Sequence, residues 1–420
     1  MKVLWLCNIV PETVAQTVRL NSSVAGGWIN GALTAMEALE DIQLAVCFPQ
    51  GKTRELLIGS AGSIKYYGFP CTLRKTHRYD AALEQWMQTI IADYQPDVTH
   101  IWGTEFPQSL AMMKVHPDRD HVCISIQGLC AKIAMHNQAF LPGHIVHCWT
   151  LRDILRWDNL YLQSRKFAMR GINEAKALSM CKHIIGRTQW DYACTKQMAP
   201  NAIYHMCNET LRDEFYCKAG TWLLEKCEKH SIFVSQAGSS LKGFHLVLEA
   251  MPEILKRYPN AVLYTTGENP ARMPAYKRSA YHKYLLTLIK EYGLKDNVKF
   301  LGILAEKDMC AQYLHSNVFV SASSIENSPN SVAEAMMLGM PIVASFVGGT
   351  MDLLQDKVEG YLYQADAPYM LAHYVCEVFE NTMQASEMGR NAYFRAKLTH
   401  DRSNNLQQLV SIYEQIYSAM

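Results

Sequence analysis

Glu326 and Glu334 stand with seven residues between them in the stretch Val318–Leu354, VFVSASSIENSPNSVAEAMMLGMPIVASFVGGTMDLL. The run Val318–Ser321 reads as a buried strand that empties into the loop carrying Glu326. Pro329 stops regular structure, and Asn330 or Ser331 can cap a helix running through Val332–Leu338. Gly339 reads as the residue that ends that helix, with Pro341 and a second buried strand behind it. A helix start offers unpaired N–H groups and the positive end of a dipole, so Asn330–Ser331 is a place for a phosphate. Glu334, in the first turn, can accept hydrogen bonds from ribose hydroxyls. Equally, Ser331-x-x-Glu334 is a capping box, which needs no ligand. Glu326 can reach a sugar ring on the other side of the phosphates. Gly348-Gly349, after the second strand, let backbone approach a ligand with no Cβ in the way.

A cation suited to such a site lies upstream. The strand Ile232–Ser235 ends at Gln236, and Lys242-Gly243 follow at the turn into a helix. A lysine there can neutralise charge growing on a departing phosphate oxygen, or can be an ordinary solvated lysine. Gly267 follows the strand that ends Tyr264-Thr265-Thr266. In the first half, polar groups follow three strands: Glu105 after Trp102, Gln127 after Ile126, and Arg187 and Asp191 after Gly186. Gly26-Gly27 precede a helix at Trp28.

These positions need strand ends to hold them, and the chain supplies two sets. The first is Val3–Leu6, Gln43–Phe48, Val98–Trp102, Val122–Ile126 and His183–Gly186; the second is Ile232–Ser235, Ala261–Thr265, Val298–Leu301, Val318–Ser321 and Ile342–Ala344. Helical patterns such as Trp28–Leu39 and Leu246–Arg257 alternate with them, the mark of α/β architecture with parallel sheets. Two doubly wound domains are expected, residues 1–205 and 206–399. A last amphipathic helix, with Leu406, Leu409, Ile412, Tyr413 and Ile416 on one face, lies in 400–420 and is expected to pack on the first domain. Such sheets bind ligands at the carboxyl ends of their strands, so the expected site is a cleft where the two sheet edges face each other.

Composition narrows the function. The chain has 420 residues, 40 Lys+Arg against 39 Asp+Glu, and 13 Cys without a CxxC pair. A near-neutral balance disfavours a dedicated nucleic-acid binder. Scattered thiols fit a reducing cytoplasm, and no clustered ligands suggest a metal. No G-x-G-x-x-G is present, which disfavours a dinucleotide-dependent dehydrogenase. Lys2 precedes a short apolar run that Asn8 and Pro11 soon interrupt, so a buried first strand is expected rather than an export signal. No run reaches the ~18 apolar residues of a transmembrane helix. From Trp149 to Lys176 six Lys/Arg oppose three Asp/Glu, interleaved with Trp149, Trp157, Tyr161 and Phe167. That segment suits an anionic membrane surface or a solvated amphipathic helix.

The Glu326/Glu334 spacing, with Glu-Ala-Met-Met-x-Gly-x-Pro-Ile-Val-Ala-Ser around it and Gly-Gly-Thr-Met-Asp-Leu-Leu after it, resembles the E-x7-E region of the group 1 (family 4) glycosyltransferases of GT-B fold. Lys242-Gly243, Gly267 and Gly26-Gly27 are similar to further glycine and lysine positions of that family. The resemblance implies a retaining, metal-independent transferase with no cofactor. It would take a nucleotide-diphosphate sugar, UDP by family frequency, and transfer to a glycan or lipid-linked saccharide in surface-polysaccharide assembly. The implied setting is cytoplasmic, at the inner face of a membrane. The implied roles put Glu326 on the donor sugar, Glu334 on the ribose, Lys242 on the diphosphate, and the glycines around the donor. Asp352 stands where the family has Glu, Gln236 where it has Arg, and Gln127 where many members have His. Gln cannot take up a proton, so no protein base is assigned at Gln127. Glu105 and Asp191 remain to orient an acceptor hydroxyl, or to serve as a cap or a surface ion pair. Two other readings stay open: a non-catalytic binding subunit on the same fold, and a sugar-nucleotide epimerase.

Overall fold

The computed structural model describes residues 1–20, 27–51, 53–72 and 75–418. It divides into two compact α/β units. The first holds residues 1–132, 166–210 and 400–420, and the second holds 133–165 and 211–399.

The first unit is built on eight strands: β1 (Lys2–Leu6), β2 (Gln43–Pro49), β3 (Leu57–Ala61), β4 (Ile64–Phe69), β5 (Val98–Trp102), β6 (Val122–Ser125), β7 (His183–Gly186) and β8 (Ile203–Met206). Their order is β3-β4-β2-β1-β5-β6-β7-β8. Every pairing is parallel except the β3–β4 hairpin. The second unit has six strands: β9 (Glu228–Val234), β10 (Val262–Thr265), β11 (Val298–Phe300), β12 (Ser316–Ser321), β13 (Ile342–Ser345) and β14 (Tyr361–Tyr363). Their order is β11-β10-β9-β12-β13-β14, all parallel.

Both faces of each sheet are covered, which is why its strands are apolar at successive positions rather than alternating with polar ones. In β1, Leu4 and Leu6 enter one apolar cluster, while Val3 and Trp5 enter another. In β12, Val318 and Val320 pack on one side and Phe319 on the other.

Strand order reverses between β1 and β5 in the first sheet and between β9 and β12 in the second. Chains leaving two such neighbours turn to opposite faces, so a crevice opens at their carboxyl ends. Each unit therefore has its own switch point. Asn8 and Glu105 follow the first pair of strands, and Lys242 and Glu326 follow the second.

The last helix, Arg402–Tyr417, packs Leu409, Ile412, Tyr413 and Ile416 into the first unit. The Tyr413 hydroxyl accepts from Trp5 Nε1 at 3.0 Å and lies 2.6 Å from His100 Nδ1. The other ring nitrogen, Nε2, lies 2.7 Å from Ser125 Oγ, so the imidazole bridges the hydroxyls of Tyr413 and Ser125. Burial lowers the His100 pKa to about 3, so the ring is neutral.

Three features differ from the sequence expectation. The β3–β4 hairpin, β8 and β14 extend each sheet past the expected five strands. The unit boundary falls at 210/211, past residue 205. Residues 133–165 cluster with the second unit, where Leu160 joins the core.

Candidate functional site

The second unit's switch point brings Lys242 and Glu326 together. Lys242 ends a short 3-10 turn after β9, and its ammonium lies 2.5 Å from Glu326 Oε1. Ser323 Oγ donates to the same oxygen at 2.6 Å. Lys242 stays partly open to solvent while Glu326 is largely covered. A cation and a carboxylate are thus held at the carboxyl ends of β9 and β12, beside the start of the helix Asn330–Leu338. That helix starts at Asn330 and Ser331, where the positive end of its dipole lies.

Two of the glycines hold the loop that carries Glu326. A Cβ on Gly348 would sit 1.9 Å from the Glu326 carbonyl oxygen, and φ there is +49°. The next residue, Gly349, donates its N–H to that carbonyl at 3.0 Å. A Cβ on Gly243, with φ +65°, would sit 1.8 Å from the Ala322 carbonyl oxygen. Ser324 N–H donates to Leu241 O at 2.8 Å. Gly243 and Gly348 therefore let two neighbouring turns close on the loop that carries Glu326, fixing its backbone. Gly348→Ala is expected to destabilise the chain by about 1–3 kcal/mol, through both the clash and the left-handed backbone. A thermal melt with a lowered midpoint checks this; an unchanged midpoint contradicts it. Gly267, with φ +103°, donates to Gly302 O at 2.9 Å at the end of β10, and open space lies where its Cβ would be. It is not part of the Glu326 clamp.

Glu334 is not a capping residue. The helix starts at Asn330 with Pro329 before it, so Glu334 is past the first turn and the expected Ser331 capping box does not form. Its two oxygens instead accept from Arg212 Nε and Nη2, each at 2.7 Å. Arg212 also lies over the Phe215 ring. Burial pushes the Glu334 pKa up while Arg212 opposes the shift. The paired forked geometry is that of carboxylate and guanidinium, and Arg212 is held above its usual range by Glu334 in spite of its own burial. The carboxylate keeps lone pairs beyond the two that Arg212 uses. Asn330 and Ser331 lie on the same helix, and the Ser331 carbonyl accepts from Tyr313 at 3.0 Å. Gln236, at the expected arginine position, is exposed just past β9.

In the first unit, Glu105 folds back over its own strand end. Gly103, with φ +93°, makes room: a Cβ there would lie 2.2 Å from Glu105 Oε2, 2.9 Å from Asn8 Nδ2 and 3.2 Å from Gln127 Cγ. Asn8 donates to Trp102 O at 3.0 Å and lies 3.4 Å from Glu105 Oε2. Burial raises the Glu105 pKa from 4.5 to about 7, with Glu174 adding to the rise and Arg170 and Arg187 opposing it. A carboxyl raised on folding stabilises the fold while protonated, and that contribution is lost as pH rises through about 7. Glu105→Gln is therefore expected to gain in melting temperature over the parent chain as pH rises from about 4.5 to 7. A difference that stays flat across that window contradicts it.

Gln127 and Arg187 meet on one partner. Gln127 Nε2 donates to Glu209 Oε1, and Arg187 Nη1 donates to Glu209 Oε2 at 2.7 Å. Arg187 Nη2 also reaches Ile126 O at 3.2 Å. The cavity beside them, lined by Trp102, Ser125, Ile126, Arg187, Glu209 and Leu406, has a volume of about 30 Å³. That is room for roughly two waters and not for a sugar ring.

Asp191 is a correction. Both its oxygens are used inside the fold, by the N–H groups of Arg187 and Thr188 and by the Tyr204 hydroxyl. It closes a capping box with Thr188 and is fully buried, so it orients no acceptor. Gly26 lies outside the described residues, and Gly27 opens the helix Gly27–Glu37. Sequence reasoning missed Asn8, Glu209 and Arg212. Each acts through a partner distant in the chain, and none belongs to a local motif. Among the described residues, no three His, Cys, Asp or Glu side chains are grouped as metal ligands. No helix among them is long and apolar enough to cross a membrane.

Two doubly wound sheets with a charged pair at the second switch point define a GT-B architecture, and solved structures agree. Sucrose-phosphate synthase from Thermosynechococcus elongatus superposes with a TM-score of 0.70 at 14% identity, covering 100% of both chains. The Anabaena protein HepE, solved with UDP-glucose, gives 0.64 at 15% identity over 99% of this chain and 100% of that one. At such identities the likeness is one of fold. Residues 222–395 match the family model described as "Glycosyl transferases group 1". Spore coat protein SA of Bacillus subtilis is 26% identical over 189 residues, 44% of this chain and 49% of its own length. The chain spans about half the length of the curated relatives it matches.

Proposed function

We propose that the protein is a retaining glycosyltransferase that moves a sugar from a nucleotide-diphosphate donor to a hydroxyl of a glycan or lipid-linked saccharide. The observation that carries this reading is the meeting of Lys242 and Glu326 at the second unit's switch point, 2.5 Å apart beside a helix start. A donor diphosphate takes the Lys242 ammonium and the positive dipole end of the helix at Asn330–Ser331 as its counter-charges. Glu326, released from Lys242 as the phosphates arrive, accepts hydrogen bonds from the sugar hydroxyls. Glu334 accepts from the ribose through the lone pairs that Arg212 leaves, and Arg212 positions it.

In the transfer step the bond between the anomeric carbon and the phosphate oxygen breaks, and its electron pair leaves with the diphosphate. The acceptor oxygen bonds the anomeric carbon on the same face, and its proton passes to the leaving phosphate. Lys242 stabilises charge that grows on the leaving diphosphate as the bond breaks and exceeds that of the bound donor at the transition state, so it lowers the barrier rather than only binding the donor. This reading needs no protein base at Gln127 and no metal ligand.

UDP is the proposed nucleotide, supported by the fold likeness to a protein solved with UDP-glucose. A thermal-shift panel with UDP, GDP, ADP, CMP and their common sugars tests it. A ligand bound only by the folded state adds about 2.7 kcal/mol of stability at a hundredfold excess over its dissociation constant. A shift with UDP that Lys242→Ala removes supports the site. No shift with any nucleotide at millimolar concentration overturns the donor reading and leaves a binding subunit.

A further inference from the structure

The short helix Leu151–Arg156 in the second unit is built inside out. A helix on a water-washed surface buries its apolar side chains and exposes its charged ones. Here the fully buried residue is Asp153, and the exposed ones are Leu151, Ile154 and Leu155. With Trp149 and Trp157 on either side, five large apolar side chains within nine residues are between 41% and 72% exposed. The two indole rings lie 5.1 Å apart. Isolated exposed apolar residues are ordinary on a soluble protein, but a contiguous group of this size marks a contact surface.

The rim is held firmly. Asp153 Oδ2 accepts from Thr150 Oγ1 at 2.8 Å and from Ala280 N–H at 3.3 Å, and Oδ1 takes Arg152 at 2.8 Å. The Thr150–Asp153 capping box closes the first turn. These polar contacts fasten the inward face, so the apolar side chains cannot turn inward.

Charge indicates what covers the rim. Arg156 is exposed within it. The turn Ala275–Lys277 packs against the same helix and brings the exposed Tyr276 and Lys277, with exposed Arg272 just before it. Of the nearby acids, Asp153 and Asp158 are both bridged to Arg152, and exposed Glu268 lies on the His282 side of that pair. Apolar side chains with two tryptophans, ringed by cations, are complementary to the headgroup–acyl boundary of an anionic bilayer.

We propose that the Trp149–Trp157 rim docks this protein on an anionic lipid surface. The docking is independent of the glycosyl-transfer reading and needs no nucleotide. Sedimentation of the full chain with unilamellar vesicles of phosphatidylcholine, with and without phosphatidylglycerol, tests it. The chain is expected to sediment with the anionic vesicles and not with the neutral ones. Arg156→Gln and Lys277→Gln should each weaken binding roughly fivefold. Leu155→Ser with Trp157→Ser should abolish it while the melting temperature and any nucleotide shift stay unchanged. Failure to bind anionic vesicles at low salt overturns the proposal. So does equal binding to neutral vesicles. A concentration-dependent dimer that Leu155→Ser with Trp157→Ser disperses also overturns it, because a second copy then covers the face.

Discussion

Glu326→Ala is expected to lower sugar transfer by about a hundredfold or more while nucleotide affinity changes little. With the donor bound the carboxylate keeps its hydrogen bond from Ser323, and its backbone is gripped by Gly348 and Gly349. That much restraint on one acidic group suits orienting a reacting sugar. Removing the side chain leaves Lys242 in place for the diphosphate, so donor binding survives and turnover does not. Steady-state kinetics with the donor identified by thermal shift separate the two effects. Loss confined to KM would assign Glu326 to binding alone, and full activity would remove it from the mechanism.

Arg212→Ala should strongly destabilise the second unit. It leaves Glu334 buried without its only forked partner, and breaking a buried pair in this way costs about 3–5 kcal/mol. For a unit of this size that is a fall in melting temperature of roughly 6–20 °C. The sign with pH is also expected. Without Arg212 the Glu334 pKa rises further above its unfolded value, so the folded state holds a proton that the unfolded chain gives up. The variant then loses stability as pH rises through that folded pKa, and its deficit is smallest in acid. Replacing both residues by apolar ones of similar volume should recover most of the loss. A small, pH-independent deficit would mean that Glu334 finds other partners.

Local patterns were legible and distant pairings were not. The strand Val318–Ser321 and the helix ended by Gly339 follow from turn chemistry and sheet geometry near one stretch of chain, whereas the ion pair of Lys242 with Glu326, 84 positions apart, did not. Gly348 was legible as a residue requiring close approach, but what approaches is the Glu326 carbonyl, on the far side of a helix in sequence. The capping alternative offered by Ser331-x-x-Glu334 does not form, and the partner of Glu334, Arg212, lies 122 positions away where no local pattern marks it. Asp191 sits in its own capping box, a pattern that Thr188-x-x-Asp191 showed at sequence level. The β3–β4 hairpin was hidden by its edge position, where half-exposed residues blur the apolar signal. Residues 133–165 join the second unit through particular side chains, Leu160 and Asp153 among them, which no composition shift marks.

Tyr413 reaches Trp5 across 408 positions, and the helix that carries it closes the first unit's core. On the ribosome, β1 and β5 therefore emerge long before the residues that complete their packing exist. At about 5–20 residues per second that interval is roughly 20–80 s. Throughout it the Trp5 indole and the His100 ring lack their shared hydroxyl, and the sheet face under residues 409–416 has no cover. A chain cut before residue 402 should therefore melt at a lower temperature than the full chain and be cleaved faster by protease in its first unit.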